Sequence, residues 1–228
     1  MGTFFGSSIG KKFVMSISGL FLVVFLIVHL AINLLLLVPD GGETFNAAAN
    51  FMALPAIKFG LQPVLALGFI VHIIYAAIIT LQNNKARGSA KYASGNKTKD
   101  VMWASKNMFV LGATVFAFLA VHIYQFFVPL QITHSAPELA SGGHDTYTLV
   151  ANALTCIPTV VFYVIGSLGL ALHLTHGFWS AFQTVGASNN IWRKRWTVIG
   201  TVFAWVVGLA FSAIAIAMYF IGSCGGCN

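Results

Sequence analysis

Five histidines lie inside four long apolar runs of this chain. His29 sits in "GLFLVVFLIVHLAINLLLLV", Gly19 to Val38, which carries no charge. His72 sits in "GFIVHIIYAAI" and His122 in "FAFLAVHIYQFF". His173 and His176 share "GSLGLALHLTHGFW". A neutral imidazole is a strong ligand for iron or zinc. A polar side chain deep in apolar surroundings usually faces the interior of a helix bundle and has a role there. The competing reading, for any one of them, is an interhelical hydrogen bond. Recurrence in four runs favours a shared purpose.

The runs themselves must position these residues. The chain is 58% hydrophobic and 7% charged over 228 residues. Soluble domains carry about 25% charged residues, so the composition excludes them and predicts an all-α integral membrane protein. A transmembrane helix needs roughly 20 mainly apolar residues. Five such spans are expected, at about 13–38, 62–82, 106–130, 152–183 and 196–221, within one domain covering 1–228. Pro158 falls in the first turns of the fourth helix, where a missing N–H costs little. The first run follows Lys11 and Lys12 and is longer than a signal-peptide core, so it reads as a retained span.

The net charge is +7, without a basic stripe interleaved with aromatics, so nucleic acid is not the implied partner. Positive charge alternates along the chain instead. Lys11 and Lys12, then Lys85 to Lys106, then Arg193 to Arg195 flank every second loop, while the third loop holds only Glu138 and Asp145. The positive-inside rule puts the N-terminus in the cytoplasm and the C-terminus outside. Cys156, Cys224 and Cys227 make no disulfide framework. The Cys224–Cys227 tail has redox spacing but no strand–helix context, and reads as a frayed end. Cys156 reads as a packing residue.

Depth sorts the histidines. His29 is 17 residues beyond Lys12, and His122 is 16 beyond Lys106. His72 and His173 are each 10 residues before Gln82 and Gln183. At about 1.5 Å per residue these form two layers, about 25 Å and about 15 Å from the cytoplasmic face. If the first four helices form an up-down bundle, each layer joins diagonal helices. Four residues before the inner pair lie Gly68 and Gly169, and before the outer pair Phe25 and Phe118. These share the histidine face of each helix; the glycines leave room for a flat group, and the phenylalanines suit stacking on one. Two facing imidazoles per layer suit bis-histidine haem, which carries electrons and leaves no open iron position. Zinc, which wants four clustered ligands, suits two separated layers less well. His176 competes with His173 but matches the depth of His72 less closely. His134 and His144 read as solvated loop residues.

The stretches "SSIGKKFVMSISGLFLVVFLIVHLAINL" and "LALHLTHGFWSAFQTVG" resemble the first and fourth helices of the di-haem cytochrome b subunit of succinate dehydrogenase and quinol:fumarate reductase complexes. The resemblance covers all five spans. It implies that His29 and His122 ligate an outer haem b, and His72 and His173 an inner one. His176 would be a supporting group ahead of Gly177, Phe178 and Trp179. It implies an iron–sulfur subunit docked on the cytoplasmic face, which in turn carries a flavoprotein with FAD. Quinone, commonly menaquinone, reacts at the membrane subunit, within the lipid bilayer of the bacterial cytoplasmic membrane. The chain itself binds no dicarboxylate. Glu43, Asn33 and Gln125 are candidates for the quinone side. Some relatives carry a glutamate two residues before the fourth-helix ligand, linked to proton transfer; this chain has Ala171 there.

Two other readings remain. Cytochrome b subunits of formate dehydrogenases or hydrogenases generally put some ligands in pairs on one helix, unlike the one-per-helix set here. A transporter with mid-membrane histidines would lack a haem spectrum.

Overall fold

The computed structural model describes residues 7–87 and 103–225. Among them no strand forms, and the one β-bridge joins Glu138 to His144. The helices are α1 (Ser8–Leu34), α2 (Glu43–Met52), α3 (Gln62–Arg87), α4 (Trp103–Lys106), α5 (Met108–His122), α6 (Thr146–Ala153), α7 (Ile157–Thr184) and α8 (Asn190–Gly225). A 3-10 turn prolongs α1, and π-helical segments run into α3 (Ile57–Leu61) and out of α5 (Ile123–Ile132). Five continuous helical stretches are long and apolar enough to cross a membrane: Ser8–Leu37, Ile57–Ala86, Met108–Ile132, Ile157–Thr184 and Asn190–Gly222. Of the tail read as frayed, Cys224 and Gly225 end α8, and Gly226 and Cys227 fall outside the described residues.

Local chemistry sets the helix ends. Ser7 caps α1 by accepting from the Gly10 N–H at 3.0 Å, so this helix starts before the expected Phe13. The fourth span does not begin at Asn152. Asn152 belongs to α6, and the chain breaks at 154–156 before α7 starts at Ile157 with Pro158 in its first turn. Cys156 is the residue that enters the helix and is extended, as N-cap residues typically are. Cys156 is also exposed, which corrects its reading as a packing residue. Pro129 lies inside the π-helical end of α5, where its missing N–H is accommodated by the wider register.

The first and third inter-span loops are more ordered than the sequence suggested, since each holds a short helix, α2 and α6. Gly42 precedes α2 at φ 92°, and a Cβ there would lie 2.2 Å from the Tyr147 ring. Glycine is required twice over, by its backbone conformation and by the ring.

The core lies around α7. Its most extensive packing is with α8, and it also meets α5 and α1; α1 in turn packs on α3. Lipid tails give helices no hydrophobic reason to associate, so close backbone approach and interhelical hydrogen bonds matter more. Both occur between α7 and α8. A Cβ on Gly208 would lie 2.6 Å from that of fully buried Ala171, and the Ser167 and Ser212 hydroxyls bond at 2.7 Å. The fifth span is therefore part of the core rather than an addition to a four-helix bundle.

Candidate functional site

Helices α1 and α5 bring His29 and His122 together, with ring centroids 5.8 Å apart and planes at 87°. Helices α3 and α7 bring His72 and His173 together, at 6.5 Å and 74°. The histidines thus form two cross-bundle pairs, first helix with third and second with fourth. A metal–imidazole bond is about 2.0–2.1 Å, so two rings on one ion stand about 6 Å apart by centroid. Both pairs are near that spacing.

The surroundings fix which nitrogen the His72 ring presents. At His72, Nδ1–H donates to the Met15 carbonyl at 3.3 Å, with Ser18 Oγ also at 3.3 Å. The Ser18 proton is itself given to the Met15 carbonyl at 2.9 Å. His72 therefore keeps a lone pair on Nε2, the usual state of a metal-ligating histidine whose other N–H is held by a carbonyl. Gly19 makes this approach possible, since a Cβ there would lie 3.3 Å from the ring. His173 packs over Gly112 of α5 in ordinary contact, and its buried Nδ1 has no hydrogen-bond partner.

The other pair is enclosed by aromatics. Phe25 stacks on His29 at 5.2 Å, and Phe118 stacks on His122 at 5.7 Å. Phe211 of α8 reaches His29 at 5.6 Å, a contribution from the fifth span that depth counting did not suggest. Tyr163 of α7 also went unnoticed in the sequence. Its ring lies 6.1 Å from His122, its hydroxyl is 3.5 Å from His122 Nδ1, and it donates to Gln125 Oε1 at 2.7 Å.

The remaining candidates fall elsewhere. Asn33 folds back on its own helix, donating to the His29 carbonyl at 2.8 Å, with its amide near both ring nitrogens of His29. Glu43 is exposed in the first turn of α2, where the helix dipole favours a carboxylate. The room expected beside Gly68 is filled by Phe21, and that beside Gly169 by Thr114. His176 is not part of the ring pair; it meets Trp179 edge-on at 5.1 Å, and Arg193 lies over the same indole.

His134 and His144 stack on each other at 6.2 Å. His134 is exposed, as expected, whereas His144 is half-buried in a tied part of the loop. The Asn50 amide bonds both the backbone N–H and the carbonyl of His144. Asn46 donates to Asp145 at 2.9 Å and accepts from the Tyr147 N–H at 2.9 Å.

The chain is 25% identical over 198 residues to the succinate dehydrogenase cytochrome b558 subunit of Bacillus subtilis (strain 168), covering 86% of this chain and 88% of that one. No family model and no solved structure matches it. Five helices long and apolar enough to cross a membrane, and a relative aligned along nearly its whole length, make the chain a multi-pass membrane protein similar to that succinate dehydrogenase cytochrome b558 subunit.

Proposed function

We propose that the chain anchors a succinate:quinone oxidoreductase or quinol:fumarate reductase in the cytoplasmic membrane and passes electrons between quinone and an iron–sulfur subunit. The observation that carries this reading is the pair of histidine pairs, His29 with His122 and His72 with His173, at spacings that suit one iron each. The named relative supplies the context.

His29 and His122 would hold one haem b, and His72 and His173 the other. Haem held by two histidines supplies one-electron transfer with no vacant iron position. The protein's own part is to orient and insulate. The Met15 carbonyl and Ser18 hold the His72 ring in one tautomer. Phe25, Phe118 and Phe211 exclude water from the other pair. By the positive-inside rule the His72–His173 pair lies toward the cytoplasm, where the iron–sulfur and flavin subunits would dock. Menaquinone would then react nearer the opposite face. Succinate and fumarate would be handled on the flavoprotein alone.

The test is haem quantitation and a dithionite-reduced spectrum of the purified complex. The expected result is two non-covalent b haems per chain and a b-type α-band. One haem or none at full occupancy contradicts the reading.

A further inference from the structure

Among the partly buried polar groups, Tyr163 stands out because its hydroxyl lies between Gln125 Oε1 and His122 Nδ1. A phenol has a single proton to give. Tyr163 gives it to Gln125 Oε1 at 2.7 Å. The same oxygen lies 3.5 Å from His122 Nδ1. With its proton committed, the tyrosine can only accept there, so His122 must carry its hydrogen on Nδ1. We propose that Tyr163 is a positioning residue for His122: polarised by Gln125, its hydroxyl holds His122 in the Nδ1–H tautomer, presents Nε2 to the iron, and makes the imidazole a more electron-rich ligand. This rests on the haem reading above and adds to it a device specific to one pair.

The setting favours a fixed role. The Tyr163 ring is held edge-on by Phe118 at 5.2 Å and by Phe126 at 6.0 Å, so its hydroxyl cannot swing away freely. Gln125 lies one helical turn beyond His122, inside the π-helical segment of Ile123–Ile132. His72 is served differently, by a backbone carbonyl and a serine on α1. The two pairs therefore have different neighbours on Nδ1, which gives the protein a way to set two haem potentials apart. A partner that accepts the second N–H of a ligating histidine raises its basicity. A more basic ligand favours the oxidised iron and lowers the reduction potential.

The experiment is a redox titration of the purified complex carrying Tyr163→Phe, after haem quantitation of the parent. His122→Ala identifies the relevant midpoint as the one it abolishes. In Y163F both haems should remain, that midpoint should move upward, and the other should stay in place. Gln125→Met gives a second route, since it leaves the phenol a weaker acceptor without removing it. The same midpoint should then rise by a smaller amount. If Y163F fails to assemble, the Q125M titration decides alone. Unmoved midpoints, a downward shift, or equal movement of both haems would overturn the role of Tyr163. A parent without haem would overturn the functional reading instead, so the two failures are distinguishable.

Discussion

His72 and His173 meet as rings while His176, one turn further along the same helix, turns to Trp179. The consequence for mutagenesis is direct. His72→Ala or His173→Ala should each remove one haem, halving the haem content, and His29→Ala or His122→Ala should remove the other. His176→Ala should leave both, as read by pyridine haemochrome assay. Loss of a haem in H176A with retention in H173A would reverse the assignment. The pairing was legible in the sequence because lysines and glutamines mark the cytoplasmic ends of the helices, and a helix converts residue number into depth. The tuning groups were not. Tyr163 is one of several aromatic residues on its helix, and only the packing of α7 against α5 singles it out as the one beside His122. Phe211 lies on a helix with no histidine to draw attention to it. Gly68 and Gly169 were noticed for their spacing, but the glycine that lets a histidine in is Gly19, on the neighbouring helix.

The short helices were the part of the architecture that composition concealed. "ETFNAAANFM" and "TYTLVANA" are too short to declare themselves by periodicity, and α2 and α6 form because they hold each other. Asp145 is the centre of that clasp. It caps α6 through the Thr148 N–H at 3.1 Å and hydroxyl at 2.7 Å, and accepts from Asn46 at 2.9 Å. Burial raises the Asp145 carboxyl, but the bonds from Thr148 and Asn46 outweigh it and hold it below the ordinary carboxylate range. A depressed value means the charged form is favoured in the folded state. Its stabilisation is complete above the unfolded value of about 3.9 and is lost as pH falls through the lower folded one. Across neutral pH the clasp should be constant, loosening only in strong acid. Asp145→Ala should cost about 1–2 kcal/mol as a lost cap. Limited proteolysis between 134 and 146 should accelerate accordingly, and Asp145→Asn should remove the acid dependence. An unchanged cleavage rate in D145A would show that the clasp contributes nothing.

At the scale of the whole molecule, Ala171 bears on energy coupling. It is fully buried against Gly208 of α8, so the place where some relatives carry an acid is closed by helix packing. If quinone reacts at the outer side, as proposed above, and Ala171 leaves no acid at this place, each charge carried across the bilayer works against about 2.3 kcal/mol per 100 mV. Turnover in sealed vesicles should therefore be electrogenic, and an ionophore should change its rate. A rate and a potential-sensitive dye signal both indifferent to the ionophore would require a proton route through other groups.

Helix α3 has a looser hold on the protein than its neighbours. None of its most apolar stretch is buried within the chain, and its substantial helix packing is with α1 alone. What it offers to the far side of the bundle is His72, facing His173. A group ligated by both would act as a rivet, joining the second quarter of the chain to α7 where side-chain packing does not. A ligand bound only by the folded form stabilises it by mass action, and here that gain would fall on one helix. Maturation then has an order: α1, α7 and α8 consolidate on their own contacts, and α3 is secured when the cofactor arrives. In cells starved of haem synthesis, the connection leading into α3, residues 53–56, should become sensitive to protease while α7 and α8 remain protected. H72A should reproduce that pattern even when haem is plentiful. Equal protease resistance with and without haem would show that α1 alone is enough to keep α3 in place.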